Sequence, residues 1–155
     1  MAEQLTVQKQ EYNLLLKTLN LLAGAAWSLG LPGKMTADSI LGSAKKQTGL
    51  SDWGDNSFRV ALDELLTHMG SAPLSSLGRT NAYLSLVQAA SNRLNIAEYL
   101  KTHPKTLDTP IKRPLFILGF PRTGTTLLQN LLSLNPSRRA LHFWELIQPV
   151  PVDAD

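Results

Sequence analysis

The stretch from residue 115 to residue 134 most constrains the fold, because it joins three segments of different character in a fixed order. A continuous apolar run, Leu115-Phe116-Ile117-Leu118, is followed by a loop containing Gly119 and Gly124 and then by a segment with helical spacing that stops at Asn135-Pro136. A short apolar run bounded by Pro and Gly is typical of a strand buried on both faces of a parallel sheet. Strand, loop and helix in this order bring backbone N–H groups and a helix N-terminus to one point, which favours binding of phosphate or sulfate.

The charge distribution supports an anion site at this loop. Residues 112–139 contain no Asp or Glu, although the whole chain has 12 acidic residues. The basic residues of this stretch are Lys112, Arg113, Arg122, Arg138 and Arg139. Such a local basic zone in a chain of net charge +3 indicates a small bound anion rather than a surface that coats a polyanion. The sequence has no basic stripe with interleaved aromatic residues, so we expect no nucleic acid partner.

Composition excludes several other classes of protein. With 43% apolar and 17% charged residues, the chain has the balance of a globular protein rather than of a disordered one. It has no Cys, which excludes disulfides, thiolate metal sites and Cys nucleophiles. Its 3 histidines lie far apart in the sequence at no metal-ligand spacing, so we expect no metal. The lack of Cys and of a recognisable signal peptide leads us to expect a cytoplasmic protein.

Residues 1–108 are predicted to form a helical region, and residues 109–155 to begin a second, α/β domain. Apolar spacing predicts a helix over Leu14–Leu31. The residues predicted on its packed face are Leu15, Leu19, Leu22, Ala26 and Leu29. Because its polar face is not basic, we favour packing on the protein itself, and a peripheral membrane contact through this helix stays open as an alternative.

Three further helices are predicted in the helical region. They run from a cap at Asp55 or Asn56 through Met69, over Leu77–Arg93, and over Ile96–Thr102 before His103-Pro104. Their predicted inward-facing residues are Phe58, Leu62, Leu65 and Met69 in the first and Tyr83, Leu84, Val87 and Ala90 in the second. The polar segment before Asp55 is predicted to be a connection with one helical turn around Ala37–Leu41.

The loop nearly matches the nucleoside-triphosphate P-loop, whose pattern is G-x-x-x-x-G-K-[ST]. Gly119 and Gly124 have its spacing, and Thr126 occupies its Ser/Thr position. Thr125, however, stands where the pattern has Lys. That Lys contacts the β- and γ-phosphates, and a Thr cannot supply its charge. The cation inside the loop is Arg122, so the charge is placed for an anion other than a γ-phosphate.

The segment Phe116–Leu128, FILGFPRTGTTLL, resembles the 5′-phosphosulfate-binding loop of sulfotransferases that use 3′-phosphoadenylyl sulfate (PAPS) as donor. The form P-R-[ST]-G-T-T-L is similar to that of the broad bacterial-type and tyrosylprotein branches of this family. The resemblance extends more weakly to Gly49–Asp55, Asn92-Arg93-Leu94, Phe143-Trp144-Glu145 and Pro149-Val150-Pro151.

This resemblance implies a P-loop-type nucleotide-binding α/β fold, a parallel sheet with flanking helices, of which the chain holds the helical lead-in and the first strand–loop–helix unit. It also implies sulfuryl transfer from PAPS to a hydroxyl or amine acceptor, which would be a small molecule, a carbohydrate or a peptide. By position, the donor-binding residues are Arg122, Thr123, Gly124, Thr125 and Thr126. Arg122 is also a catalytic candidate, because it can stabilise charge on the departing bridging oxygen.

Sulfuryl transfer also requires a base that accepts the proton of the acceptor hydroxyl. In the tyrosylprotein-type relatives a Glu after the loop helix serves, and Glu145 is the best match here. His142 is the weaker candidate. Because the chain stops soon after its first strand–loop–helix unit, we expect the N-terminal portion of a longer sulfotransferase, or a truncated product, that is inactive by itself.

Two other functions stay open at the level of sequence. The first is a kinase or hydrolase with a degenerate P-loop, which is opposed by Thr125 and by the absence of a visible Mg²⁺-holding Asp after a second strand. The second is a non-catalytic helical interaction module that keeps only a remnant of the loop.

Overall fold

A computed structural model describes residues 13–120 and 122–151 of the chain. The predicted loop residue Pro121, and the ends of the two predicted regions at residues 1–12 and 152–155, lie outside the described residues. The helices are α1 (Leu14–Ser28), α2 (Ala37–Thr48), α3 (Phe58–Ser71), α4 (Ser76–Thr102), a 3₁₀ helix (Pro104–Asp108), α5 (Thr125–Ser133) and α6 (Phe143–Ile147).

The chain divides into two compact units. Among the described residues, the first comprises 13–49 and 55–91, and the second comprises 50–54 and 92–151 without Pro121. This division falls inside α4, so α4 contributes residues to both units. The boundary between residues 108 and 109 stays a prediction about the domains of the whole protein.

Helix α1 begins at the predicted Leu14 but ends at Ser28 rather than Leu31, and it packs through a different face. Its Asn20 side chain accepts a hydrogen bond from the Leu77 N–H (2.9 Å), in the first turn of α4. The Trp27 indole donates to the Thr80 hydroxyl (2.8 Å) and meets the ring of Tyr83 edge-on. The Asn20 amide and the Trp27 indole form hydrogen bonds with polar groups of α4 in a partly buried contact. Leucine side chains cannot form such hydrogen bonds.

The leucine face of α1 is therefore exposed rather than packed. The exposed fractions are 64% for Leu15, 40% for Leu19, 59% for Leu22 and 80% for Leu29. The predicted packing face is wrong. The face that contacts α4 carries the polar Asn20 as well as Trp27, and apolar spacing does not identify such a face. None of the described helices is both long and apolar enough to cross a membrane.

Helix α2 is longer than the single predicted turn. The Thr36 hydroxyl accepts the Ser39 N–H and caps its start, and Gly49 ends it in the left-handed conformation at φ 70°. Asp38 in the first turn and Lys45 and Lys46 in the last turn complement the helix dipole. The prediction from apolar spacing did not include these caps and charges, and it therefore made the helix too short. Its buried residues are Ile40, Leu41 and Ala44.

Helix α3 agrees with the prediction except at its cap and its buried residue. Its N-cap is Ser57 rather than Asp55 or Asn56, and the Asp55 carboxylate instead accepts the Ser57 N–H at 3.1 Å. Leu66 is the buried residue of α3, whereas the predicted Leu65 is 44% exposed. The predicted helix is confirmed, and Phe58, Leu62 and Met69 of its predicted stripe are half-buried, so only Leu65 was assigned wrongly.

Helix α4 is continuous where two helices were predicted. Its buried stripe continues through the predicted break, because Val87, Ser91 and Leu94 follow Tyr83 at helical spacing and are all buried. Asn95 therefore starts no second helix. The predicted end at His103-Pro104 is confirmed.

The core of the first unit tightly encloses a tyrosine. Tyr83 is 2% exposed, and its hydroxyl lies 3.1 Å from Ser39 Oγ and 2.8 Å from Ser43 Oγ. Gly33 lies against the same group, since a Cβ there would be 2.5 Å from Tyr83 Oη and 2.7 Å from Ser39 Oγ. A side chain at position 33 would therefore overpack the hydroxyl cluster.

We expect Gly33→Ala to lower the free energy of unfolding by about 1–3 kcal/mol, because the added methyl must displace buried polar groups. Gly42→Ala is the matched control, since a Cβ in that part of α2 meets nothing within 4 Å. The control should raise stability by about 0.5–1 kcal/mol. Urea unfolding of both variants checks the pair, and a Gly33→Ala variant as stable as wild type would contradict the packing described.

The buried strand predicted at Leu115–Leu118 is not formed among the described residues. Residues 114–120 have no regular secondary structure, and Phe116, Leu118 and Phe120 are 79%, 91% and 83% exposed. A strand is defined by hydrogen bonds to a neighbour, and the described residues provide no second strand. The parallel sheet is therefore unconfirmed in this chain.

Candidate functional site

The loop before α5 is folded so tightly that its first glycine has no room for a side chain. A Cβ at Gly119 would be 2.8 Å from Thr125 Cγ2 and 3.0 Å from Thr123 Oγ1. The Thr123 hydroxyl donates to the Phe120 carbonyl oxygen at 2.7 Å. The loop thus folds back on itself, and the close approach explains why glycine occupies position 119.

Two residues of the loop adopt the left-handed conformation. Arg122 has φ 66°, and Gly124, the N-cap of α5, has φ 86°. Left-handed residues close to a helix start are a common way to turn successive N–H groups toward one point. The α5 helix begins at Thr125, so Thr125 and Thr126 form part of its first turn.

The N-terminus of α5 is the positive end of the helix dipole, and no side chain among the described residues forms a capping hydrogen bond there. The Leu128 N–H donates to the Gly124 carbonyl at 3.0 Å, which leaves the N–H groups of the preceding helical residues without an acceptor inside the helix. An anion placed here would be stabilised by both the N–H groups and the helix dipole.

Arg122 provides the positive side chain of the loop. It takes part in none of the ion pairs found in residues 13–120 and 122–151, and its side chain is exposed. Residues 112–139 contain no carboxylate. No group of three or more His, Asp or Glu in the described ranges could hold a metal ion.

Glu145 caps the short helix α6. Its Oε2 accepts the His142 N–H at 2.7 Å, and its Oε1 pairs with Arg139 Nη2. The His142 N–H bond first and the Arg139 charge second lower the pKa of Glu145 below its usual range. His142 itself stacks its ring on Trp144, with centroids 6.4 Å apart. The carboxylate predicted as a base is therefore ionised, and both of its oxygens have partners.

Two of the segments that carry the weaker part of the sequence resemblance are in contact within the second unit. Arg93 Nε donates to the Trp53 carbonyl at 3.1 Å, and Trp53 is 8% exposed. The neighbouring Asn92 donates its amide N–H to the Ile147 carbonyl at the end of α6. Residues far apart in sequence are thus joined through α4, which gives these segments a structural role that the sequence did not reveal.

A further ion pair fixes the 50–54 segment to α4. Lys101 Nζ lies 2.5 Å from Asp52 Oδ2, and the Gly54 N–H donates to Asp52 Oδ1 at 2.8 Å. The Lys101 hydrogen bond first and the Gly54 N–H second lower the pKa of Asp52. Asp52 in turn raises the pKa of Lys101 above its ordinary 10.5.

We expect Asp52→Asn to speed amide exchange in residues 50–54 by up to about fivefold at neutral pH, because it removes a surface ion pair. The Asp52 contribution is present above its ordinary pKa of 3.8 and is lost as the pH falls through the lowered value. The Lys101 contribution is present below 10.5 and is lost as the pH rises through the raised value. Asp63→Asn on α3 is the control, and equal exchange in all three proteins would contradict this account.

Comparison with known proteins gives three matches, one to a family model and two to solved structures. Residues 114–155, which include the loop, α5 and α6, match the sequence model of the sulfotransferase family. The chain is similar to the crystal structure of sulfotransferase STF9 from Mycobacterium avium, with TM-score 0.69 and 35% identity over 78% of this chain and 31% of that one. It is also similar to sulfotransferase STF1 from Mycobacterium tuberculosis H37Rv, with TM-score 0.69 and 38% identity over 77% and 33% of the two chains.

The sequence match and the two structural matches agree on one family. The chain spans about a third of the length of the two mycobacterial proteins. Among curated protein sequences none matches at a significant level. The resemblance carried by the loop is confirmed, and the chain belongs to the sulfotransferase family.

Proposed function

We propose that this protein transfers a sulfuryl group from PAPS to a hydroxyl or amine acceptor, and that residues 119–126 bind the 5′-phosphosulfate of the donor. The observation that carries the proposal is the loop itself. Arg122 and Gly124 are left-handed directly before the N-terminus of α5, in a stretch that has no carboxylate. This arrangement suits a compact dianion held by backbone N–H groups and one guanidinium.

The loop chemistry favours PAPS over ATP or GTP. Thr125 replaces the Lys that would contact β- and γ-phosphates, and it lies in the first turn of α5. The single loop cation, Arg122, precedes the second glycine instead. A donor with one short phosphosulfate group therefore fits the available charge better than a triphosphate does.

The proposed roles follow from residue type and place. Gly124 lets the backbone approach the anion, and Thr125 and Thr126 offer N–H and hydroxyl donors at the helix start. In the reaction the acceptor oxygen or nitrogen forms a bond to sulfur, and the bond from sulfur to the bridging phosphate oxygen breaks. Arg122 would stabilise the negative charge that this bridging oxygen gains.

Glu145 is the proposed base, and its contacts assign different tasks to its two oxygens. Oε2 is fixed by the His142 N–H, which orients the carboxylate. Oε1 is paired with Arg139, whose side chain is 69% exposed, whereas that of Glu145 is 16% exposed. The Arg139 side chain can move away into solvent, so we propose that Oε1 accepts the acceptor proton after Arg139 departs. The lowered pKa leaves Glu145 ionised but makes it a weaker proton acceptor, and the departure of Arg139 removes one cause of this lowering.

The test of this function is transfer from PAPS in the intact protein. Release of adenosine 3′,5′-bisphosphate is followed with panels of small-molecule, carbohydrate and peptide acceptors, and the products are identified by mass spectrometry. We expect a sulfated product with PAPS and no phosphorylated product with ATP. Phosphoryl transfer from ATP without sulfuryl transfer from PAPS would favour the kinase alternative and contradict the proposal.

A further inference from the structure

Helix α6 is held at both ends by side-chain amides from two other helices. Gln129 of α5 donates from Nε2 to the Leu141 carbonyl at 3.3 Å, just before α6 begins. Asn92 of α4 donates from Nδ2 to the carbonyl of Ile147, the last residue of α6. All of these residues belong to the second unit, so both ends of α6 are held within one compact body.

Other forces give α6 little support. It has only five residues, and helices of this length are marginal in water. Its large apolar side chains are mostly exposed: Phe143 77%, Trp144 65% and Leu146 58%. Its local stabilisation comes from the Glu145 cap, the Glu145–Arg139 ion pair and the stacking of His142 on Trp144. The Gln129 and Asn92 bonds tie the two ends of this short helix to α5 and α4.

Gln129 also connects α6 with the loop. It lies four residues after Thr125 in α5, so both side chains are on the same helix face, one turn apart. A continuous route thus runs from the first turn of α5 through Gln129 to the segment that carries Glu145.

We infer that Gln129 and Asn92 are positioning residues, which set Glu145 relative to the anion bound at the start of α5. This inference rests on the proposed function, because it assigns the two amides a task in the same reaction. Both amides bond to backbone carbonyls at the ends of α6, so each would act through the place of α6.

Hydrogen exchange in the intact protein tests the hydrogen bonds directly. We expect Gln129→Met, which keeps the side-chain length but removes the N–H donor, to speed exchange in residues 141–148 about two- to tenfold. Asn130→Met is the matched control, because Asn130 is exposed and adjacent on the same helix. Exchange in residues 141–148 that is equal in wild type and Gln129→Met overturns the inference, whether or not any nucleotide binds.

A second arm tests the coupling to the donor site. Adenosine 3′,5′-bisphosphate should slow exchange in residues 141–148 of wild type and of Asn130→Met, but much less in Gln129→Met. Because this coupling is reciprocal, the affinity for the nucleotide should fall in Gln129→Met by about the factor by which the protection is lost, stay unchanged in Asn130→Met, and be accompanied by a two- to tenfold fall of kcat in Gln129→Met. Equal protection in Gln129→Met overturns the inference. A wild type that fails to bind the nucleotide contradicts the proposed function instead, and the basal exchange rates still decide whether Gln129 holds α6.

Discussion

Replacing Arg122 by Ala should weaken the binding of PAPS and of adenosine 3′,5′-bisphosphate about ten- to a hundredfold. The change removes a charge-assisted hydrogen bond worth about 1.5–3 kcal/mol. No carboxylate of the described residues shares this guanidinium through an ion pair, so its loss is not offset by releasing an acid. Turnover should fall together with affinity, because the same charge acts on the bound donor and on the departing oxygen. Isothermal calorimetry and initial rates measure the two effects.

Two variants control for charge and for side-chain type. Arg138→Ala removes the same charge from the same acid-free stretch, but outside the loop, and should change donor affinity far less. Arg122→Lys should be milder than Arg122→Ala, because it keeps a cation without the planar fork of donors. Equal affinity in wild type and Arg122→Ala would show that the loop does not bind the donor through Arg122.

Glu145→Gln should lower turnover about 10²–10⁴-fold while leaving donor affinity nearly unchanged. Gln keeps the shape and can still accept the His142 N–H, so α6 stays capped. It cannot take up a proton at neutral pH, and the acceptor hydroxyl would attack with its proton in place. Initial rates at saturating PAPS, together with calorimetry of adenosine 3′,5′-bisphosphate, separate this effect from that of Arg122.

Two controls separate the base from the ion pair. Arg139→Ala frees Oε1 of Glu145 and should keep turnover within about tenfold of wild type, because ion pairs at exposed positions contribute little. Glu64→Gln makes the same chemical change on α3, where Glu64 pairs with His68, and should have no effect on rate. Near-normal turnover of Glu145→Gln would reassign the base to His142 or to another residue.

The helical region could be predicted in kind but not in detail. Apolar spacing located α1, α3 and most of α4, because period and caps are local properties of the chain. It placed the wrong face of α1 on the protein, since Asn20 and Trp27 pack through hydrogen bonds to α4 that no hydropathy pattern encodes. It also missed the length of α2, which depends on a Thr cap and on charges at the two ends.

The loop was predictable because the residues that define it are consecutive in the sequence. The spacing of Gly119 and Gly124, and the start of a helix after them, needed no long-range information. The bonds from Asn92 and Gln129 to the two ends of α6 were not predictable, because they join residues brought together only by the fold. The hydrogen bond from Arg93 to the Trp53 carbonyl was not predictable for the same reason.

The apolar run Leu115–Leu118 marks where sequence and described structure differ most. Its composition predicts a strand buried on both faces, yet Leu118 is 91% exposed. A buried parallel strand needs neighbours on both edges and layers on both faces. The described residues provide no such neighbours, so the predicted sheet stays a prediction.

Competition between PAPS and ATP for the wild-type site tests the central claim most directly. Binding of adenosine 3′,5′-bisphosphate is measured by calorimetry alone, and then in the presence of excess PAPS or excess ATP. We predict that PAPS displaces the nucleotide and that ATP at the same concentration does so at least about tenfold less well, because Thr125 provides no charge for a γ-phosphate. Equal displacement by ATP, or tight ATP binding with no measurable affinity for PAPS, would contradict the assignment of this loop to a phosphosulfate donor.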